Sequence, residues 1–270
     1  MHKIDKYIEV IASSDCYITP MNAIKRKITP PSLYFFPRLA KIVLYSNKWV
    51  KRGVYDRFHW VYSSLDIFHK LENTGLRFEI CGMNNLTKAN GPVVFIGNHM
   101  STLETLVLPG IIQPVKPVVF IIKKELAKFP FFGPIAEARY PIEVGRKNPR
   151  EDLKLVLEEG KNRLQNGKSI VVFPQKTRTA FFESKSFNSL GVKLAKLNQV
   201  PVIPFALVTD AWGNGKIIKE FGKIDPSKKV FIHFGEPVEV TKKGNDAHRH
   251  VLDFIKSSLL KWGRPELILD

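Results

Sequence analysis

The sequence predicts an α/β fold: a mainly parallel sheet flanked by helices, with an N-terminal amphipathic helical segment. Three observations carry this. From about residue 76 onward, short apolar runs rich in β-branched and aromatic residues alternate with segments of helical spacing, the order produced by a parallel sheet with crossover helices. The 270 residues are 44% hydrophobic and 25% charged, a globular composition and not that of a disordered chain. No linker-like or low-complexity stretch divides residues 76–270, so they read as one domain behind a basic segment, residues 1–75.

Residues 1 to about 30 are polar and basic, with Lys25-Arg26-Lys27 followed by Pro30-Pro31. Over residues 33–72, apolar and aromatic positions (Phe35, Phe36, Leu39, Ile42, Trp49, Trp60, Leu65, Phe68) interleave with Arg38, Lys41, Lys48, Lys51 and Arg57. The spacing predicts two amphipathic helices broken near Gly53. Two uses of them stay open, packing on the main core or lying on an anionic membrane surface. Strands are expected at residues 77–81, 93–97, 118–122, 169–173, 202–207 and 230–234. Residues 150–166 place Leu153, Val156, Leu157 and Leu164 at helical spacing and end at Gly167. Residues 187–198 and 246–262 repeat the pattern through Leu190, Leu194 and Leu197, and through Val251, Ile255 and Leu259.

The 42 Lys+Arg against 25 Asp+Glu give a net charge of +17, which suits nucleic acid, an anionic membrane face or phosphorylated substrates. The basic residues are spread along the chain without a zinc-finger or RNP-like pattern, which argues against nucleic acid. The start lacks the apolar core of a signal peptide, and no apolar run reaches the ~18 residues of a membrane span, so the expected place is cytoplasmic, peripheral on the membrane face. The two cysteines, Cys16 and Cys81, form no disulfide framework and have no neighbouring base in sequence. The seven histidines show no ligand spacing beyond His248-x-His250, so no metal is expected.

Two stretches carry groups suited to chemistry, each directly after an expected strand. In Asn98-His99-Met100-Ser101-Thr102-Leu103-Glu104, Ser101 and Glu104 fit a capping box at a helix start. The same geometry lets Glu104 point back at His99, fix its tautomer and leave the other ring nitrogen as a general base. In Phe173-Pro174-Gln175-Lys176-Thr177-Arg178, two cations and a hydroxyl sit at a strand end, suited to a phosphate or carboxylate or simply to a solvated turn. Residues 124–146 add an aromatic, Pro/Gly-bounded middle and end at Arg146, and residues 200–204 read Val-Pro-Val-Ile-Pro.

In this order and spacing the four stretches resemble the glycerolipid acyltransferases, the lysophosphatidic acid (1-acyl-glycerol-3-phosphate) acyltransferase superfamily, over roughly residues 76–240. That family shows Asn-His-x4-Asp, a Lys-x-Glu-Leu region leading to an Arg, Phe-Pro-Glu-Gly-Thr-Arg and Val-Pro-Val-Ile-Pro. Four ordered motifs are far more specific than any one. The resemblance implies O-acyl transfer from an acyl thioester, acyl-CoA or acyl-carrier protein, to a hydroxyl of a lysophospholipid-type acceptor, with no further cofactor. His99 would be the general base and Glu104 its orienting carboxylate. Arg146, Lys176, Thr177 and Arg178 would bind the acceptor, and the N-terminal helices would dock on an anionic membrane surface. Two departures stand out. Glu104 replaces the family's Asp, a change of one methylene that still reaches. Gln175-Lys176 replaces Glu-Gly, shifting local charge by two units and removing a permissive backbone position. The departure implies a more anionic acceptor or a different head group from lysophosphatidic acid. The competing readings are a non-catalytic lipid-binding relative and an acyltransferase acting on a non-glycerol lysolipid.

Overall fold

The structure, a computed structural model, describes residues 14–21, 29–145, 147–215, 218–241 and 244–270. In chain order the elements are β1 (Cys16–Ile18), α1 (Pro31–Lys51), α2 (Arg57–Glu72), β2 (Arg77–Cys81), α3 (Asn85–Lys88), β3 (Val94–Gly97), α4 (Leu103–Ile112), β4 (Val118–Lys123), α5 (Lys124–Ala127), α6 (Gly133–Glu137), β5 (Ile142–Val144), α7 (Pro149–Gln165), β6 (Ser169–Val172), α8 (Leu190–Asn198), β7 (Val202–Val208), β8 (Lys229–Phe234) and α9 (Asn245–Lys261). The strands form one eight-stranded sheet in the order β1-β2-β8-β7-β3-β6-β4-β5. Pairing is parallel throughout except β1 with β2 and β7 with β8.

The apolar runs form strands because the sheet is covered on both faces, so successive residues are buried in opposite layers. Phe95, Val171, Ile203, Phe205 and Leu207 point into the layer made with α2 and α4. Val94, Ile96, Ile170, Val172, Val202 and Ala206 point into the layer made with α7, α8 and α9. The expected strands all appear, with ends shifted by at most one residue. The sequence reading misses β1 and β5, each only three residues long and too short to show a period. It also leaves the two cysteines unconnected. The register of β1 sets Cys16 directly opposite Cys81 on β2, and the two are joined as a disulfide.

Gly53 (φ +70°) follows the last residues of α1, and its N–H bonds the Val50 carbonyl at 2.9 Å, so the expected break is a left-handed helix stop. Helix α2 starts on Asp56, whose carboxylate accepts the His59 N–H at 2.9 Å. Both helices bury one side, Phe35 and Ile42 from α1 and Leu65, Phe68 and Leu71 from α2. The other side of α1 is an exposed stripe of Leu33, Pro37, Lys41, Leu44, Lys48 and Lys51 at helical spacing. Among the described residues no helix is long and apolar enough to cross a membrane. The Lys25-Arg26-Lys27 run lies outside the described residues.

The chain leaves β3 through α4 on one face and leaves β6 through α8 on the other. Strands β3 and β6 are neighbours, so a topological switch point lies between them, and a crevice forms outside their carboxyl ends.

Candidate active site

Three adjacent parallel strands deliver the site: the loop after β3 carries His99, the loop after β6 carries Phe173 to Arg178, and Thr209 follows directly on β7. Gly97, the last residue of β3, lies against the Phe205 ring and carbonyl where a Cβ would collide. The loop beyond it is held to β7 by Asn98, whose amide donates to the Leu207 carbonyl at 2.9 Å and accepts the Leu207 N–H at 2.8 Å. His99 therefore emerges from a fixed backbone.

Its Nδ1 lies 2.9 Å from Glu104 Oε1. The same Oε1 accepts the N–H groups of Met100 at 2.7 Å and Ser101 at 2.8 Å. Oε2 accepts the Ser101 hydroxyl at 2.9 Å and the Thr209 hydroxyl at 2.7 Å. Of the expected capping box the half from Glu104 to the Ser101 N–H forms, Ser101 Oγ accepts the Leu103 N–H at 3.1 Å in place of the Glu104 N–H, and the same carboxylate also holds the histidine. The structural and chemical readings of the motif coexist in one side chain. Burial by itself pushes the Glu104 carboxyl up; the hydrogen bond and charge of His99, the Ser101 N–H and the Thr209 hydroxyl outweigh it and hold the group below its ordinary value. Glu104 is then a carboxylate, which only accepts, so Nδ1 is the nitrogen that donates to it, and in the neutral ring Nε2 is the one left with a lone pair. The ring stacks on Phe173 with centroids 4.3 Å apart and remains 16% exposed, while Glu104 is wholly buried.

Gln175 has a structural part in this arrangement. It is buried, and its amide oxygen accepts the His99 N–H at 2.6 Å. Its departure from the family's Glu therefore acts on the histidine loop, while Lys176 and Thr177 are exposed on the turn beyond. Gln175→Ala is expected to cost about 1–3 kcal/mol of stability, because the His99 N–H loses its acceptor, and to lower kcat. Gln175→Glu keeps an oxygen in the same place and is expected to lose less of both. Thermal melts and steady-state rates check this, and equal losses from the two variants would show that the amide does not hold the loop.

Arg178 reaches back across the crevice. Its Nη1 donates to the hydroxyl of Thr102, three residues after His99, and its Nη2 donates to Glu220 at 2.5 Å. The structure thus brings His99, Glu104 and Arg178 to one mouth. Arg146 lies outside the described residues. Sequence reasoning missed Thr209 and Glu220, which carry no local pattern, the part of Thr102 inside the histidine stretch, and the stacking of Phe173. In the aromatic segment, Phe129 is 41% and Phe131 62% exposed, so neither is core, and Asn47 of α1 donates to the Phe131 carbonyl. A cavity of about 200 Å3 lined by Lys161, Leu164, Leu197 and Gln199 opens at the opposite, amino-terminal edge of the sheet, away from this chemistry. Among the described residues no cluster of His, Cys, Asp or Glu is arranged to hold a metal ion.

Residues 77–208 match the protein-family model described as Acyltransferase. That match covers a little under half of the chain. The curated proteins to which the chain is similar carry glycerolipid acyltransferase names. A 1-acyl-sn-glycerol-3-phosphate acyltransferase of Pseudomonas aeruginosa is 33% identical over 132 residues, 49% of this chain and 49% of the relative. A probable enzyme of the same name from Mycoplasma pneumoniae is 28% identical over 189 residues, 67% of this chain and 68% of the relative. The match to the Pseudomonas relative thus spans about half of that protein. The crystal structure of the 1-acyl-sn-glycerophosphate acyltransferase of Thermotoga maritima has the same fold, with a TM-score of 0.61 at 23% identity, covering 86% of this chain and 95% of that one. The chain therefore has its fold in common with that solved structure, and His99, Glu104 and Arg178 all lie within the matched residues 77–208.

Proposed function

We propose that the chain transfers a fatty acyl group from an acyl thioester, carried by coenzyme A or acyl-carrier protein, to the free hydroxyl of a lysophospholipid-type acceptor, 1-acyl-glycerol-3-phosphate being the first candidate. The observation that carries this is the His99–Glu104 pair, a partly exposed imidazole whose Nδ1 is held by a buried, hydrogen-bonded carboxylate. Relatives named 1-acyl-sn-glycerol-3-phosphate acyltransferase support the acceptor class.

In this reading Nε2 of His99 takes the proton of the acceptor hydroxyl as its oxygen attacks the thioester carbonyl. Glu104 stabilises the imidazolium that forms, already positioned against Nδ1. The tetrahedral intermediate then collapses, the C–S bond breaks, and the proton on Nε2 passes to the leaving thiolate. No covalent acyl-enzyme is needed and no further cofactor enters. Arg178 presents a guanidinium fork suited to the acceptor phosphate, with Thr177, Lys176 and Arg146 as further contacts. The exposed stripe of α1, Leu33 and Leu44 among Lys41, Lys48 and Lys51, supports docking on an anionic membrane face where both lipids reside.

The test is product detection by mass spectrometry. The purified chain is given acyl-CoA or acyl-carrier protein as donor against glycerol-3-phosphate, lysophosphatidate, other lysophospholipids and non-glycerol lysolipids. The expected product is diacylglycerol-3-phosphate from lysophosphatidate. No product across the panel, with binding to lipid vesicles retained, would replace this reading with a non-catalytic lipid-binding role.

A further inference from the structure

We propose that Glu220 is a positioning residue for the acceptor anion, fixing the Arg178 fork beside the His99 loop. The proposal rests on the reading above, in which Arg178 contacts the acceptor phosphate. An arginine on an exposed turn has long rotamer freedom and gains selectivity only when its planar fork is held. Here both terminal nitrogens are engaged from different sides, Nη1 by Thr102 at the start of α4 and Nη2 by Glu220 Oε1 at 2.5 Å. The guanidinium stays partly accessible, with side-chain exposures of 16% for Arg178 and 32% for Glu220, and its remaining N–H groups stay available as donors.

Glu220 itself is held by the strap that links β7 to β8. The Glu220 carbonyl accepts the indole N–H of the buried Trp212 at 3.0 Å. The arms of the strap close on each other through the Gly213 N–H to the Lys223 carbonyl at 2.9 Å, and Gly222 lies so near the Gly213 carbonyl that a Cβ would overlap it. On its outer side the strap joins α1: the Ile224 N–H donates to Ser32 Oγ at 3.0 Å, and the Phe221 and Phe36 rings sit 5.3 Å apart. A backbone pinned at so many points makes the Glu220 carboxylate a fixed stop for Arg178. It also links the placement of the anion contact to α1, the helix with the exposed basic stripe. Two signals hid this from the sequence: the 42 residues separating the pair, and the absence of any motif around Glu220.

The experiment measures KM and kcat of the full chain with acyl-CoA as donor, using lysophosphatidate and, as a neutral acceptor, monoacylglycerol. Glu220→Ala is expected to raise KM for lysophosphatidate about tenfold, within the up-to-hundredfold effect of misplacing a binding group, with kcat and the neutral acceptor little changed. Glu220→Gln, which keeps an acceptor oxygen for Arg178, is expected to recover most of the loss. Arg178→Ala is expected to raise the same KM further. If Arg178→Ala raises KM while Glu220→Ala leaves it unchanged or lowers it, Glu220 is no positioning residue, and a lowered value marks it as a competitor for the anion. If Arg178→Ala itself leaves KM unchanged, the acceptor reading beneath the proposal fails instead.

Discussion

His99→Ala is expected to lower kcat for acyl transfer by about 100- to 10,000-fold, the range spanned by general-base contributions, with the melting temperature close to that of the wild type. The two halves of this expectation come from different features. The rate falls because no other described group takes the place of Nε2: Glu104 is wholly buried behind the ring, and its two oxygens are filled by donors from Met100, Ser101 and Thr209. The fold survives because the loop is fixed through backbone atoms and neighbours, Asn98 on Leu207 and the His99 N–H on Gln175, none of which uses the imidazole. Losing the ring removes one of the donors to Glu104 and leaves four, enough to keep the carboxylate satisfied. KM for the acceptor is expected to move little, since its phosphate is assigned to Arg178. A variant that retains a rate within threefold of wild type, at unchanged stability, would remove His99 as the base.

What the sequence made legible follows the range of each interaction. The strands that sit inside the sheet show as continuous apolar runs because both their faces are buried, and Val94, Phe95 and Ile96 go in turn to opposite layers. Strands β1 and β5 are edges three residues long, and their pairing comes from partners elsewhere in the chain. The His99–Glu104 pair was legible because one strand end, one turn and one helix start bring residues five apart into contact. Thr209 was not: it closes the carboxylate cradle from 105 residues away, and only the parallel register of β3 and β7 brings it there. Gln175 illustrates a different limit. Its position beside the cations Lys176 and Arg178 invites a substrate role, yet its side chain is buried and spent on the His99 N–H. Type and position were readable, and direction was not. The same holds for Arg178, whose partner Glu220 belongs to a strap with no pattern of its own.

Glu104 is where fold and chemistry are hardest to separate, and two substitutions divide them. Glu104→Ala is expected to lower stability by roughly 3–5 kcal/mol, because it strips the acceptor from buried donors at Met100, Ser101 and Thr209 at once. Its loss of activity would then say little about catalysis. Glu104→Gln keeps one carbonyl oxygen for His99 Nδ1 and the two N–H groups, and its NH2 can face the Ser101 and Thr209 hydroxyls, which rotate to accept. This variant is expected to fold with a smaller loss while kcat falls by about 100-fold or more, since a neutral amide orients the ring but does not compensate the imidazolium. The pH dependence of stability supplies an independent check. The carboxyl is held below its ordinary value of 4.5, so its stabilising contribution is fully present above that value and is lost as pH falls through the lower folded value. Wild-type stability is therefore expected to fall more steeply on acidification below about pH 4.5 than that of Glu104→Gln, which has no proton to take up there. Parallel acid limbs for the two proteins, measured by denaturant unfolding at each pH, would mean that the buried group is not charged in the folded state. The general-base role given to His99 would then lose the anion on which it depends.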